Sequence, residues 1–249
     1  MSGHSKWATI KRKKGAADAK RGKLFSKLIR EITIAAKSSG ADPEGNIRLK
    51  AVITKAKQAN MPADNIERAI KRGSGAEEGV NYEEITYEGY APGGVAIYIA
   101  ALTDNKNRTT ADVRHILSKG GGTLGRDGCV AYLFARKGHF LIEKSKIDEE
   151  KLMELAIESG ADDYGSDGNY WEITTDANNF SAVRNALEAA DIEPDEAQLT
   201  MVPQNTVKVI GKEAEQVLRL MEQLEDSDDI QEVYANFDID ESVMEQLSA

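Results

Sequence analysis

The sequence predicts an α+β protein of three domains: an N-terminal three-helix domain followed by two ferredoxin-like α+β domains, one inserted in the other. Three observations carry that reading. Apolar residues recur at helical spacing through residues 18–73, and after residue 80 short alternating runs interleave with helical ones. The sign of the charge also reverses between the two regions. Residues 1–75 hold 12 Lys and 6 Arg against 6 acidic groups, a net of +12, while residues 76–249 hold 14 basic and 36 acidic groups, a net of -22, leaving -10 for the whole chain. The whole-chain balance conceals a strongly basic first domain.

The first domain is expected over residues 1–79. Its opening, MSGHSKWATIKRKK, is a cationic tail with one aromatic, Trp7. From Asp18 the spacing of Leu24, Leu28 and Ile32, widened by Phe25, Ile29, Ala35 and Ala36, predicts an amphipathic helix. At 100° per residue Lys20, Lys23, Lys27, Arg30 and Lys37 fall on its opposite arc. A turn over Gly40 to Gly45 leads into a second helix with Leu49, Val52, Ile53 and Ala56 inward. A third opens near Pro62, where a missing N–H costs nothing, and stops at Gly73. The Gly- and Ser-containing run 73–79 reads as a linker.

Beyond it, strands are expected at Glu83 to Tyr90, Val95 to Thr103 and Cys129 to Arg136, with a helix from Thr109 to Lys119. A second series follows: a strand at His139 to Glu143, a helix at Asp148 to Ser159, a strand within the turn-rich run 160–168, a strand at Tyr170 to Thr174, a helix at Ala177 to Ala190 and a strand at Gln198 to Met201. That order, βαββαβ, is the split unit of ferredoxin-like folds. A helix at Gly211 to Leu224 and a strand at Ile230 to Phe237 read as the second half of another unit whose first half is Val95 to Arg136. Residues 137–204 are therefore expected to be inserted between 80–136 and 205–249. The echo between LEAADIEPDEAQLTMV and MEQLEDSDDIQEVYAN, each helix, acidic turn and strand, fits two related modules.

Chemistry is sparsely marked. Gly120 to Gly125 fits G-x-G-x-x-G, but a helix precedes it and a strand follows, the reverse of a dinucleotide fingerprint, so it reads as a helix stop and loop. His4, His115 and His139 are scattered, and the single cysteine, Cys129, lies in an apolar run without basic neighbours, so neither a zinc site nor an activated thiol is indicated. No cofactor or metal and no enzymatic activity is expected. Apolar runs fall short of a membrane span or a secretory core, giving an expectation of a cytoplasmic protein without membrane contact.

Two basic concentrations remain. Residues 1–30 contain ten basic groups and one acid, Asp18, a footprint for a polyanion, although such groups also serve as solvated helix faces. Trp7 suits stacking on an unpaired base or packing. The second concentration is Asp104 to Thr110 with Arg114, His115 and Lys119. Thr109 or Thr110 would cap a helix there, and Lys106 and Arg108 could equally hold a phosphate at its N-terminus.

GHSKW at Gly3 to Trp7, DAKRGKLFSKLIREI at Asp18 to Ile32, YEGYAPGG at Tyr87 to Gly94, and DNKNRT, ADVRH and GCVAYLF beyond them resemble the YebC/PmpR family over essentially the whole chain. The resemblance implies a helical domain and two α+β domains. It also implies a regulator of gene expression: bacterial members are described as DNA-binding transcriptional regulators, mitochondrial relatives are translational activators, and some bacterial members act in relief of ribosome stalling. The expected partner is nucleic acid, DNA or ribosomal RNA and with it the ribosome, bound by a monomer. The expected contact residues are Lys6, Trp7, Lys11, Arg12, Lys13, Lys14, Lys20, Arg21, Lys23, Lys27 and Arg30, with Lys106, Arg108 and Arg114 in second place.

Overall fold

The computed structural model describes residues 18–77, 80–240 and 243, and the molecule is α+β, a helical region followed by sheet-containing units. Helices α1 (Asp18–Ser39), α2 (Ile47–Gln58) and α3 (Ala63–Gly73) enclose a core of Leu28, Ile32, Ala35, Leu49, Val52, Ala56, Ile66 and Ala69. Leu24, expected on the apolar face, is 45% exposed. Both shorter helices pack chiefly on α1 and little on each other. Buried Asn46 starts α2: its side chain accepts from Leu49 N at 3.0 Å and donates to the carbonyls of Ala35 and Gly40, each at 2.8 Å. Gly73 ends α3 where α1 crosses, and a Cβ there would sit 2.3 Å from the Thr33 carbonyl oxygen.

The first sheet has the order β3-β1-β2-β9, antiparallel throughout, from β1 (Glu83–Tyr90), β2 (Ala96–Thr103), β3 (Thr123–Leu124) and β9 (Ile230–Ala235). Helices α4 (Lys106–Lys119) and α7 (Gly211–Glu225) cover one face, closing a core around Ile97, Ile99, Val113, Leu117, Val217, Leu220 and Phe237. A ferredoxin-like split unit would put the strand before its second helix in the third place of the sheet. Here that place belongs to β1, the hairpin partner of β2, and only a short strand β8 (Val207–Lys208), paired with β10 (Phe237–Asp238), precedes α7.

The second sheet takes its strands from residues 134–203 alone: β4 (Phe134–Glu143), β5 (Asp163–Asp167), β6 (Tyr170–Asp176) and β7 (Glu196–Pro203), in the order β5-β6-β4-β7, all antiparallel. With α5 (Glu149–Glu158) and α6 (Phe180–Ala189) on one face, this is the ferredoxin-like arrangement. Phe140, Ile142, Leu152, Ile173, Val183 and Leu187 fill its core. A fourth apolar cluster, Ala96, Val130, Phe134 and Tyr234 with Tyr98 and Met201 beside them, joins residues of the two sheets.

The expected strand Cys129 to Arg136 requires correction. The Glu88 carboxylate accepts the N–H groups of Gly128, Val130 and Ala131 at 2.6, 2.6 and 2.8 Å, so a side chain takes the donors that a ladder would have used. Residues 131–133 form a 3₁₀ turn, and β4 begins at Phe134 and continues through the region expected to hold a second strand. The strand that follows α4 is instead β3, inside the glycine run.

Candidate nucleic-acid interface

Helix α1 carries its basic residues at intervals of three and four, which aligns Lys23, Lys27 and Arg30 along one face. That face is occupied. Lys23 Nζ donates to the Asp226 carbonyl at 3.1 Å and lies 3.2 Å from Asp226 Oδ1. Lys27 Nζ donates to the Glu225 carbonyl at 2.7 Å. Arg30 donates to the Asp228 carbonyl, lies 3.1 Å from Asp229 Oδ1 and stands over the Tyr82 ring at 5.6 Å from its centroid. The partners are the last carbonyls of α7 and the acidic turn after it. Those carbonyls lack intrahelical donors and carry the negative end of the helix dipole, so cations are favoured there.

Asp229 is the hub of this contact. Its side chain is 7% exposed, and its Oδ2 lies 2.8 Å from Arg108 Nη2 and 2.7 Å from Thr109 Oγ1, with Thr103 Oγ1 at 3.3 Å. Burial alone would push the carboxyl up; the Arg108 and Thr109 hydrogen bonds and the charges of Arg30 and Arg108 outweigh it and hold the pKa below the ordinary value. Asp229, and secondarily Asp104, in turn raise that of Arg108.

An open cleft of about 390 Å³ lies beside the hub, lined by Arg30, Tyr82, Asp104, Arg108, Asp112, Ser227, Asp228 and Asp229. Two guanidinium groups face four carboxylates, a balance that disfavours a free phosphate. Arg108 is partly exposed and pairs with both Asp104 and Asp229. Helix α4 also starts earlier than expected. Asn105, not Thr109 or Thr110, caps it by accepting from Arg108 N at 3.1 Å, and Thr109 turns inward to Asp229. Lys106 and Arg114 are exposed on α4.

Of the other expected contact residues, Lys6, Trp7, Lys11, Arg12, Lys13 and Lys14 lie outside the described residues, and so does the side chain of Lys20. Arg21 is exposed. Elsewhere in the helical unit, Arg48 pairs with Glu84, Lys50 with Glu44 and Lys71 with Glu67, and Arg68 donates to Asn65. Lys55, Lys57 and Arg72 are exposed, with no ion pair among the described residues. None of these three was among the expected contacts. Sequence reasoning missed Tyr82 and Asp229 altogether, since the acidic run 226–229 looks like any helix-flanking turn. Among the described residues no group of three His, Cys, Asp or Glu could hold a metal ion, and no helix is long and apolar enough to cross a membrane.

Comparison with known proteins adds the relationships. Residues 5–76 match the family model described as the TACO1/YebC protein N-terminal domain, and residues 82–237 match that of the TACO1/YebC second and third domain. A "Probable transcriptional regulatory protein" of Natranaerobius thermophilus is 60% identical over 98% of this chain and 99% of its own length. One of the same name from Rubrobacter xylanophilus is 58% identical over the full length of both. In structure, the chain is similar to a conserved hypothetical protein from Aquifex aeolicus, with a TM-score of 0.82 and 49% identity over 90% of this chain and 93% of that one.

Proposed function

The chain belongs to the TACO1/YebC family, and from that premise we propose that it is a nucleic-acid-binding regulator of gene expression, acting on DNA as a transcriptional regulator and catalysing no reaction. The observation that carries the reading is the concentration of a net +12 within residues 1–75 of a chain that is -10 overall. The names of the relatives support the regulatory role. In this reading residues 1–79 are the contact unit, and 80–136 with 205–249 and the inserted 137–204 are acidic units directed away from the polyanion. The contact is made first by Lys6, Trp7, Lys11, Arg12, Lys13, Lys14, Lys20 and Arg21, and extended by the exposed Lys55, Lys57 and Arg72. The site of action is the cytoplasm.

Each phosphate neutralised releases condensed counterion, so affinity falls steeply with salt. Replacing Lys11, Arg12, Lys13 and Lys14 together by alanine is expected to weaken binding to all sequences alike. It should also flatten the slope of log K against log salt by up to about 0.9 for each lost contact on duplex DNA. Fluorescence anisotropy with a labelled duplex across a salt series measures both; unchanged affinity and slope would remove the tail from the interface.

A second reading takes ribosomal RNA as the target, because the exposed face of α3 does not suit major-groove readout. Asp64 and Glu67 stand beside Arg68 and Lys71 there, and both cations are engaged within the helix, by Asn65 and Glu67. Such a mixed face is poorly suited to the major groove. Sedimentation of native lysate through a sucrose gradient separates the two: co-migration with ribosomal particles, lost in high salt, supports RNA, and migration at the top supports DNA.

A further inference from the structure

We propose that the acidic turn Glu225–Asp229 is an internal stand-in for a nucleic-acid backbone, and that a polyanion reaches Lys23, Lys27 and Arg30 only by displacing it. The inference rests on the nucleic-acid-binding reading above. Three cations at successive turns of one helix face meet acceptors supplied by four residues of a single turn: the carbonyls of Glu225, Asp226 and Asp228 and the carboxylates of Asp226 and Asp229. A row of anionic oxygens is also what a phosphate backbone presents to such a face.

The contact is built to be exchanged. The apolar cores of the helical unit and of the first sheet are separate clusters that share no residue, so opening this contact leaves both cores intact and exposes Ile34, buried on the same face of α1, besides the polar groups. Lys23 and Asp226 are 43% and 68% exposed at their side chains, and exposed pairs of this kind are weak and salt-screened. Deeper in, Asp229 does not depend on Arg30. When Arg30 leaves, Arg108 and Thr109 still satisfy the carboxylate, at 2.8 and 2.7 Å, so no buried charge is stranded. Release of Arg30 also uncovers the Tyr82 ring. The apparent affinity for nucleic acid is then the intrinsic affinity reduced by the fraction of molecules in which the turn is displaced.

The test pairs an affinity with a distance. Asp226→Asn with Asp228→Asn weakens the turn while leaving Asp229 and every described cation in place. Anisotropy with labelled duplex DNA and with labelled polyuridylate should show about two- to fivefold tighter binding than wild type, the order expected for removing the exposed Lys23–Asp226 pair together with the neighbouring Asp228 charge. A control pair, Glu150→Gln with Glu154→Gln on the exposed face of α5, removes the same charge elsewhere and should leave affinity unchanged. Donor and acceptor dyes on Ile47→Cys and Ile210→Cys, both exposed, in a Cys129→Ser background should lose energy transfer when unlabelled duplex or polyuridylate is added. Equal gains in both variant pairs, or tighter binding without a change in distance, overturn the displacement. Wild-type binding that neither the turn variant nor the distance reflects overturns it too, and leaves the proposed function standing. Absence of binding by every form, wild type included, overturns the function and the displacement with it.

Discussion

At the scale of single residues, two buried carboxylates, Asp229 at the hub of the α1 contact and Glu88, hold contacts that sequence pattern does not announce. Glu88 lies on a strand of alternating character, where an acid reads as outward-facing, yet it is 6% exposed and holds three backbone N–H groups of the loop after β3. Burial pushes its carboxyl up; the N–H groups of Val130, Gly128 and Ala131 outweigh that and leave the pKa below the ordinary value. A depressed carboxylate contributes stability that is fully present above its unfolded pKa, about 4.3, and is lost as pH falls through the folded value. Glu88→Gln offers one acceptor oxygen and turns an NH₂ toward a donor, so it is expected to cost about 2 kcal/mol at neutral pH. The difference from wild type should shrink below about pH 4, where the wild-type carboxylate protonates as well. Urea unfolding at neutral pH and at a series of acidic values measures this; a difference that stays constant with pH would mean that charge at Glu88 is not what holds the loop.

At the scale of elements, the helices were legible and the short strands were not, for a physical reason. A long helix repeats its apolar period several times, as Leu28, Ile32 and Ala35 do, so one misplaced residue such as Leu24 does not hide it. Strand β3 has two residues and no period, and it lies in a glycine run whose close packing only the fold explains: a Cβ at Gly122 would sit 2.4 Å from the Tyr90 carbonyl oxygen. Gly138 misled in the opposite direction. It looks like a break, yet it lies mid-strand in β4, where a Cβ would meet Thr175 at 2.6 Å. The cap of α4 was legible in kind but not in position, because Asn105 precedes Thr109 and Thr110, and no cap was read for α2, which Asn46 starts. These two caps also differ in what surrounds them. Asn105→Ala removes one exposed hydrogen bond and is expected to cost about 1 kcal/mol. Asn46→Ala also removes the donors to two carbonyls in a buried setting, and about 2–3 kcal/mol is expected. Chemical denaturation of the two variants side by side checks the order, and an Asn105 variant as damaging as the Asn46 one would contradict it.

At the scale of the whole molecule, the charge reversal read from the sequence has a structural counterpart. The basic stripe was visible as a stripe; that the chain supplies its own acid for part of it was not, since Lys23 and Asp226 are 203 positions apart and no local pattern links them. Ion pairs and hydrogen bonds of Lys23, Lys27, Arg30, Lys37 and Arg48 join the helical unit to the rest, and the apolar cores are separate clusters. Polar docking between closed cores transmits little stability, and unfolding is expected to depart from a single two-state transition. Trp171, which donates to the Ile147 carbonyl at 3.0 Å within the second sheet's unit, is a local reporter once Trp7 is replaced by Phe. In that background Asn46→Ala should lower the midpoint of the helical component seen by far-ultraviolet circular dichroism and leave the midpoint of Trp171 fluorescence in place. Raising the salt concentration should widen the separation between the two transitions, because it screens the pairs that couple the units. Coincident midpoints that move together in the variant would instead mean that the ion pairs bind the molecule into one cooperative body, and a turn held that firmly could not yield to a polyanion.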